Sequence, residues 1–337
     1  MTVPRDKRYR GHRLYGGVTL VELLISLLLG LLLSGGMAAA YLAAKRNAYY
    51  EEQMARMQEN GRYALRLLSR ELAMVGFYGG VLSPSQEVEA VAVGGDCSEG
   101  DWALEVGTPL DVISDYNGQA PPVSLYNTIF TCLDSAAIAP GSDLLVIKRT
   151  AAEASLLRGV PAETLTASDV QSWYLRLTSG AEPEWERLPP VDLRHASRAV
   201  PSLSYWEAIS RILFIRAYSN EVGDGLPSLC METLAGDAMT TRCLVEGVEN
   251  LQFEFGVDSD GDGVPNTYTP TPTQAQMRSA VSAKIYLLLR SIGPLPGYRD
   301  SRTYHLGREV QPASGDAYLR RVVSTTVMLR NYKAPRS

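Results

Sequence analysis

From Val18 to Ala44 the chain runs 27 residues with a single formal charge, Glu22, and no second run of this kind follows. As a helix, at ~1.5 Å per residue, such a stretch reaches about 40 Å, more than the ~30 Å hydrocarbon core of a bilayer. It predicts one membrane span at 18–44. Residues 1–17 carry Arg5, Lys7, Arg8, Arg10 and Arg13 against Asp6 alone, and such a basic flank holds an N-terminus in the cytoplasm and leaves the C-terminal mass exported. Five bases against one acid make this leader +4, so the whole-chain charge of −5 leaves residues 18–337 at −9. An acidic remainder argues against a main affinity for nucleic-acid phosphates, which clustered Lys and Arg supply. No nucleic-acid partner is expected.

An ordinary cleaved secretory signal explains part of this pattern, with an apolar core from Leu23 to Leu33 and a small-residue site at Ala38-Ala39-Ala40. It would make a secreted calcium-binding protein that begins at Tyr41. Glu22 counts against it, because a carboxylate inside an apolar segment costs about 2.5–3.5 kcal/mol on insertion scales and a signal peptide gains nothing from it. An acid so placed calls for a cationic partner at the same depth.

The residues Gly16-Gly17-Val18-Thr19-Leu20-Val21-Glu22 resemble the class III leader junction of type IV pilins and type II secretion pseudopilins. The resemblance implies cleavage by prepilin peptidase after Gly17, methylation of the new amine on Val18, and the family's acidic fifth mature residue at Glu22. Family members more often begin the mature chain with Phe. A freshly cut amine on Val18 would lie one helical turn from Glu22, and mutual neutralisation lowers the cost of burying either charge. The resemblance further implies that Glu22 meets the N-terminal amine of a neighbouring subunit, which makes it a docking element.

Helical periodicity continues beyond the span. Tyr50, Met54, Met57, Gly61, Leu65, Leu68, Leu72 and Val75 recur at steps of three or four with charged residues between them. The reading is one helix over 18–76, closed by Gly76, Gly79 and Gly80. Its segment Glu59-Asn60-Gly61-Arg62-Tyr63-Ala64-Leu65-Arg66-Leu67-Leu68-Ser69-Arg70-Glu71-Leu72, followed by Gly76-Phe77-Tyr78-Gly79, is similar to the PilW family of minor pilins, which is related to the J-type minor pseudopilins. The likeness covers both ends of the chain well and the middle, roughly 80–240, poorly. It implies an inner-membrane protein with its head in the periplasm that later joins the pilus at the cell surface. It implies a part in priming type IV pilus assembly at or near the tip, in support of adhesion or twitching motility. The implied partners are prepilin peptidase, other minor pilins, the major pilin and a tip adhesin.

The expected fold class is α+β and type IV pilin-like. A long N-terminal helix, membrane-spanning in its first half, would pack on an antiparallel β-sheet head with large loop insertions. The chain divides accordingly into a leader (1–17), the helix (18–76) and a periplasmic β-rich head (77–337). Strands are expected at Asp143–Lys148, Trp173–Leu177, Arg211–Ala217, Leu251–Val257, Ser282–Leu289 and Arg321–Leu329, and loops at Asn117–Pro122, Ser179–Pro190 and Gly293–Arg302.

Four cysteines on the exported side face an oxidising compartment. Of three connectivities, loop-closure entropy favours Cys97 with Cys132 and Cys230 with Cys243. The stretch Asp258-Ser259-Asp260-Gly261-Asp262-Gly263-Val264-Pro265-Asn266 is the one metal-like pattern. Alternating carboxylates at Asp258, Asp260 and Asp262, the Val264 carbonyl and Asn266 supply the hard oxygen donors Ca²⁺ prefers. Thr269 stands where an EF-hand has its bidentate Glu, and the preceding residues alternate as a strand, so the pattern predicts a strand-loop Ca²⁺ site. A solvated acidic turn is the alternative. G-x-S-x-G, H-E-x-x-H and P-loop motifs are absent, and after cleavage only His195 and His305 remain as histidines. A non-catalytic role follows from this reading, with an anchored periplasmic enzyme as the competing class.

Overall fold

The computed structural model describes residues 17–98, 100–166, 168–195 and 202–332. The leader before Gly17 lies outside the described residues. The chain divides into two compact units, one up to Glu51 and one from Glu52 on.

A single helix, α1 (Leu20–Met74), contributes to both units. In the first unit every side chain from Leu20 to Ala44 is exposed. Among the described residues α1 is the one helix long and apolar enough to cross a membrane. In the second unit α1 buries Gln53, Met57, Gly61, Ala64, Leu68, Glu71 and Leu72. These recur at three- and four-residue steps, the spacing that gives a helix one core-facing stripe. Gly61 lets the Leu289 side chain lie against the helix, since a Cβ there would displace the tip of Leu289 and touch Val323 at 3.5 Å. The helix stops where Gly76 takes φ +75° and its N–H turns to the Lys148 carbonyl.

The head is built of strands β1 (Leu110–Ile113), β2 (Leu144–Thr150), β3 (Leu156–Leu157), β4 (Val160–Pro161), β5 (Ser172–Leu177), β6 (Glu184–Leu188), β7 (Ser204–Arg216), β8 (Ser228–Ala235), β9 (Ala238–Glu246), β10 (Val248–Val257), β11 (Thr267–Thr269), β12 (Ala280–Arg290), β13 (Tyr304–Leu306), β14 (Glu309–Gln311) and β15 (Arg320–Met328). All six expected strands are present. The strands form the expected antiparallel head as a nine-stranded sheet centred on β7, a four-stranded sheet in the order β11-β10-β12-β15, and the hairpin β13-β14. The loop expected over Ser179–Pro190 contains β6, in which Trp185 is buried between exposed Glu184 and half-buried Glu186. That alternation is strand periodicity on a short, charge-rich segment.

Asp143 ties the two sheets together. Its N–H donates to the Leu251 carbonyl at 2.8 Å, and its carboxylate accepts from Phe253 N at 2.7 Å and Asp115 N at 2.8 Å.

Candidate functional site

The N-terminal candidate begins with three residues outside the helix, Gly17, Val18 and Thr19. Thr19 Oγ1 accepts from Glu22 N at 3.2 Å, while Thr19 N and Thr19 Oγ1 both donate to Glu22 Oε2 at 2.9 Å. This reciprocal pair is a capping box, and it satisfies the helix's first free N–H groups locally. The sequence signal for it, Thr-x-x-Glu, lies in the open at Thr19–Glu22. Reading Glu22 only as a partner for an amine passes over it. Both Thr19 donors fall on Oε2, so among the described residues Oε1 has no hydrogen-bond partner.

At its other end α1 is clamped to the nine-stranded sheet. Arg149 of β2 donates to Glu71 through Nε at 3.0 Å and Nη2 at 3.1 Å, and Arg211 of β7 adds Nη1. Beside this clamp Lys148 is buried against Glu105 Oε2 at 2.6 Å and the Trp102 carbonyl at 3.2 Å. Burial presses the Lys148 amine below its ordinary range. Burial alone would raise Glu105, but the Lys148 charge holds that carboxyl below the usual range.

The aspartate loop connects β10 to β11, as its strand-like approach predicts. One carboxylate oxygen each from Asp258, Asp260 and Asp262 lies within 4.8 Å of the others. Gly261 and Gly263 take φ +82° and +86°, and their N–H groups donate to the two oxygens of Asp258 at 2.6 and 2.8 Å. The Gly263 N–H holds the Asp258 carboxyl below the usual carboxylate range. The Val264 N–H donates to Asp262 Oδ1 at 2.7 Å. Asn266 donates Nδ2 to Asp260 at 3.1 Å, while its Oδ1 accepts from Ser259 N and Oγ at 2.6 and 2.9 Å. The three carboxylates are therefore brought together, and the Asn266 oxygen is turned to Ser259. Three hard oxygen donors around one point fit Ca²⁺.

Cys97 bonds to Cys132 and Cys230 to Cys243. The second pair joins directly opposite positions of β8 and β9. His305 lies exposed on β13, and the His195 side chain falls outside the described residues.

Residues 213–331 match the family model described as Type IV Pilus-assembly protein W, PilW. That stretch runs from β7 through the β8-β9 hairpin and the whole four-stranded sheet to the residues after β15. No curated protein matches the chain. Among solved structures, a type IV-like pilin from Thermus thermophilus aligns at 11% identity and a TM-score of 0.36, over 82% of this chain and 97% of that one. Residues 213–331 are thus similar to the PilW family of type IV pilus-assembly proteins, which the helix segment Glu59–Leu72 also resembles.

Proposed function

We propose that this chain is a minor pilin. It is made with the leader 1–17, cut between Gly17 and Val18, methylated on the Val18 amine, and held in the inner membrane by residues 18–44 with its head in the periplasm. Other minor pilins and the major pilin are its partners, together with a tip adhesin. It takes part in priming the pilus and stays at or near the tip, where it supports adhesion or twitching. The work is non-covalent. The observation that carries this reading is the PilW match over residues 213–331, and the pilin-like junction at Gly17–Glu22 supports it.

The mass of the mature N-terminus tests the processing step directly. A methylated Val18 supports the reading, and a start at Tyr41 replaces it with an ordinary secreted protein. A place in a J-type secretion pseudopilus, the second reading within the same class, is separated by which assembly retains the tagged chain. Replacing Glu22→Ala is expected to leave cleavage after Gly17 intact and to lower incorporation into pili at least tenfold, read by immunoblot of sheared filaments. Unchanged incorporation removes the docking role.

The grouping of Asp258, Asp260 and Asp262 within 4.8 Å favours a bound Ca²⁺ that orders the β10–β11 loop after export. At ten to a hundred times the dissociation constant, a ligand confined to the native state adds about 1.4–2.7 kcal/mol. Thermal unfolding with CaCl₂ and with chelator should separate by that amount in the wild type and coincide in Asp260→Ala. Equal responses in both proteins would sink the site.

A further inference from the structure

β15 closes one side of the four-stranded sheet and, among the described residues, pairs only with β12. The register of that pair fixes which backbone groups face outward. Leu329 N donates to the Val281 carbonyl at 2.9 Å, one step beyond the pair Ser282 and Met328. In an antiparallel ladder, opposed residues alternate between pairs that exchange hydrogen bonds and pairs that do not. Val327, Thr325 and Val323 therefore bond to β12, and the N–H and C=O groups of Val322, Ser324, Thr326 and Met328 point away from the sheet. Among the described residues none of these outward groups has a partner.

Other strands at the margins of the sheets are protected in the ways such edges usually are. β4 and β11 have two and three residues. β1 has four, and the Val112 carbonyl is taken by Leu125 N. β6 carries Glu184, Glu186 and Arg187, and β9 is met by Gly95 at Ala238 and carries Arg242. β15 keeps nine residues in unbroken register, and its run from Val322 to Met328 has no charge, proline or glycine. One face of this run packs toward α1 through Val323. The opposite face is covered at Val322 by Tyr304 and Leu306 and then opens, with Ser324, Thr326 and Met328 exposed. Arg321 and Arg330 flank the open run, both exposed and neither in an ion pair among the described residues.

We propose that the β15 edge is a strand-addition site that takes an extended, uncharged, β-branched segment of another protein, with acidic residues at its ends opposite Arg321 and Arg330. Main-chain hydrogen bonds from four alternate residues supply the affinity, and the two arginines supply direction and selectivity. A second copy of the same strand fits badly. Antiparallel self-pairing about Thr325 would set Leu329 opposite Arg321 and Arg320 opposite Arg330, so a second copy offers neither arginine an acidic partner. The inference stands on the sheet alone and does not depend on the pilin reading.

The test is residue-resolved hydrogen exchange on the full chain in detergent micelles, with the ten-residue peptide Glu-Thr-Val-Thr-Val-Thr-Val-Thr-Val-Glu as the probe. In the free protein the amides of Ser324, Thr326 and Met328 should exchange fast and those of Val323, Thr325 and Val327 slowly. Millimolar peptide should slow the first set at least tenfold, and a peptide with proline at its centre should not. Thr326→Pro removes one outward donor and leaves the inner ladder intact, so it should abolish the slowing at Ser324 and Met328 while Val323 stays protected. Thr326→Ala should respond as wild type does, because the backbone is what binds. If Thr326→Pro loses the inner protection as well, Ser324→Pro takes its place. The site is overturned if the outward amides are already slow in the free protein, or if they slow with protein concentration alone. It is equally overturned if the peptide leaves them unchanged, or if Thr326→Ala loses as much as the proline variant.

Discussion

Glu71 lies on the face of α1 that packs into the head. Its carboxylate is 3% exposed, and it sits between the guanidinium groups of Arg149, 4% exposed, and Arg211, 23% exposed. Within α1 it is the one charged member of the buried stripe, so the apolar periodicity that reveals Leu68 and Leu72 hides it. Removing the anion leaves two cations facing each other with little water, and breaking a buried pair costs about 3–5 kcal/mol. Arg211 retains some access to solvent, which points to the lower end of that range. Glu71→Leu is expected to lose about 3 kcal/mol in urea unfolding, and Glu71→Leu with Arg149→Leu to lose less than the single change, since the double variant removes the stranded charge along with its partner. A double variant less stable than the single one contradicts the clamp. The same scale shows what a motif-first reading omits. Glu22 stood out as a charge in an apolar run, yet its structural partner is Thr19 three residues away, and the two positions together spell a capping box.

Among elements, what the sequence disclosed depended on how many neighbours each strand has. β10, β12 and β15 show well-marked apolar runs, and their expected bounds fall within a residue or two at most ends. β7 was visible only in its second half, as Arg211–Ala217, although it begins at Ser204. Its first half meets β5 and β3 and its second half β2 and β8. With both faces partly covered, Ser204–Ser210 lacks the clean alternation that betrays a half-buried strand. The β8-β9 hairpin escaped for the opposite reason. β9 has a single buried residue, Val245, and the one strong sign was Gly236-Asp237, a two-residue turn with Gly at φ +66°. The cysteine pairing, which rests on loop entropy and not on strand assignment, was legible without either strand. The Cys97–Cys132 bond closes 35 residues and the Cys230–Cys243 bond 13, and these are the shorter closures available.

At the scale of the whole head, stability with pH turns on the acids buried where the sheets meet. Burial pushes Asp143 up to about 8, outweighing the hydrogen bonds it accepts from Asp115 and Phe253, and burial pushes Asp111 up to about 6. Unfolded aspartates ionise near pH 3.9. Between that value and the folded one, the native state binds more protons than the unfolded state, so the contribution of each group is complete below about pH 4 and shrinks as pH rises. For Asp143 the decline runs to about pH 8 with a slope of at most about 1.4 kcal/mol per pH unit, and Asp111 adds to it up to about pH 6. Asp224, Asp258 and Asp316 are held below their ordinary range and act in the opposite direction, but only in acid below about pH 4. The head should therefore be more stable at pH 5 than at pH 8, the reverse of a protein governed by surface carboxylates. Asp143→Asn keeps an oxygen acceptor for one of the two N–H groups and removes the proton, so it should lower stability at pH 5 and flatten the profile between pH 5 and 8. Urea midpoints across that range check both statements, and a wild-type midpoint that rises with pH would show that Asp143 is ionised in the folded head.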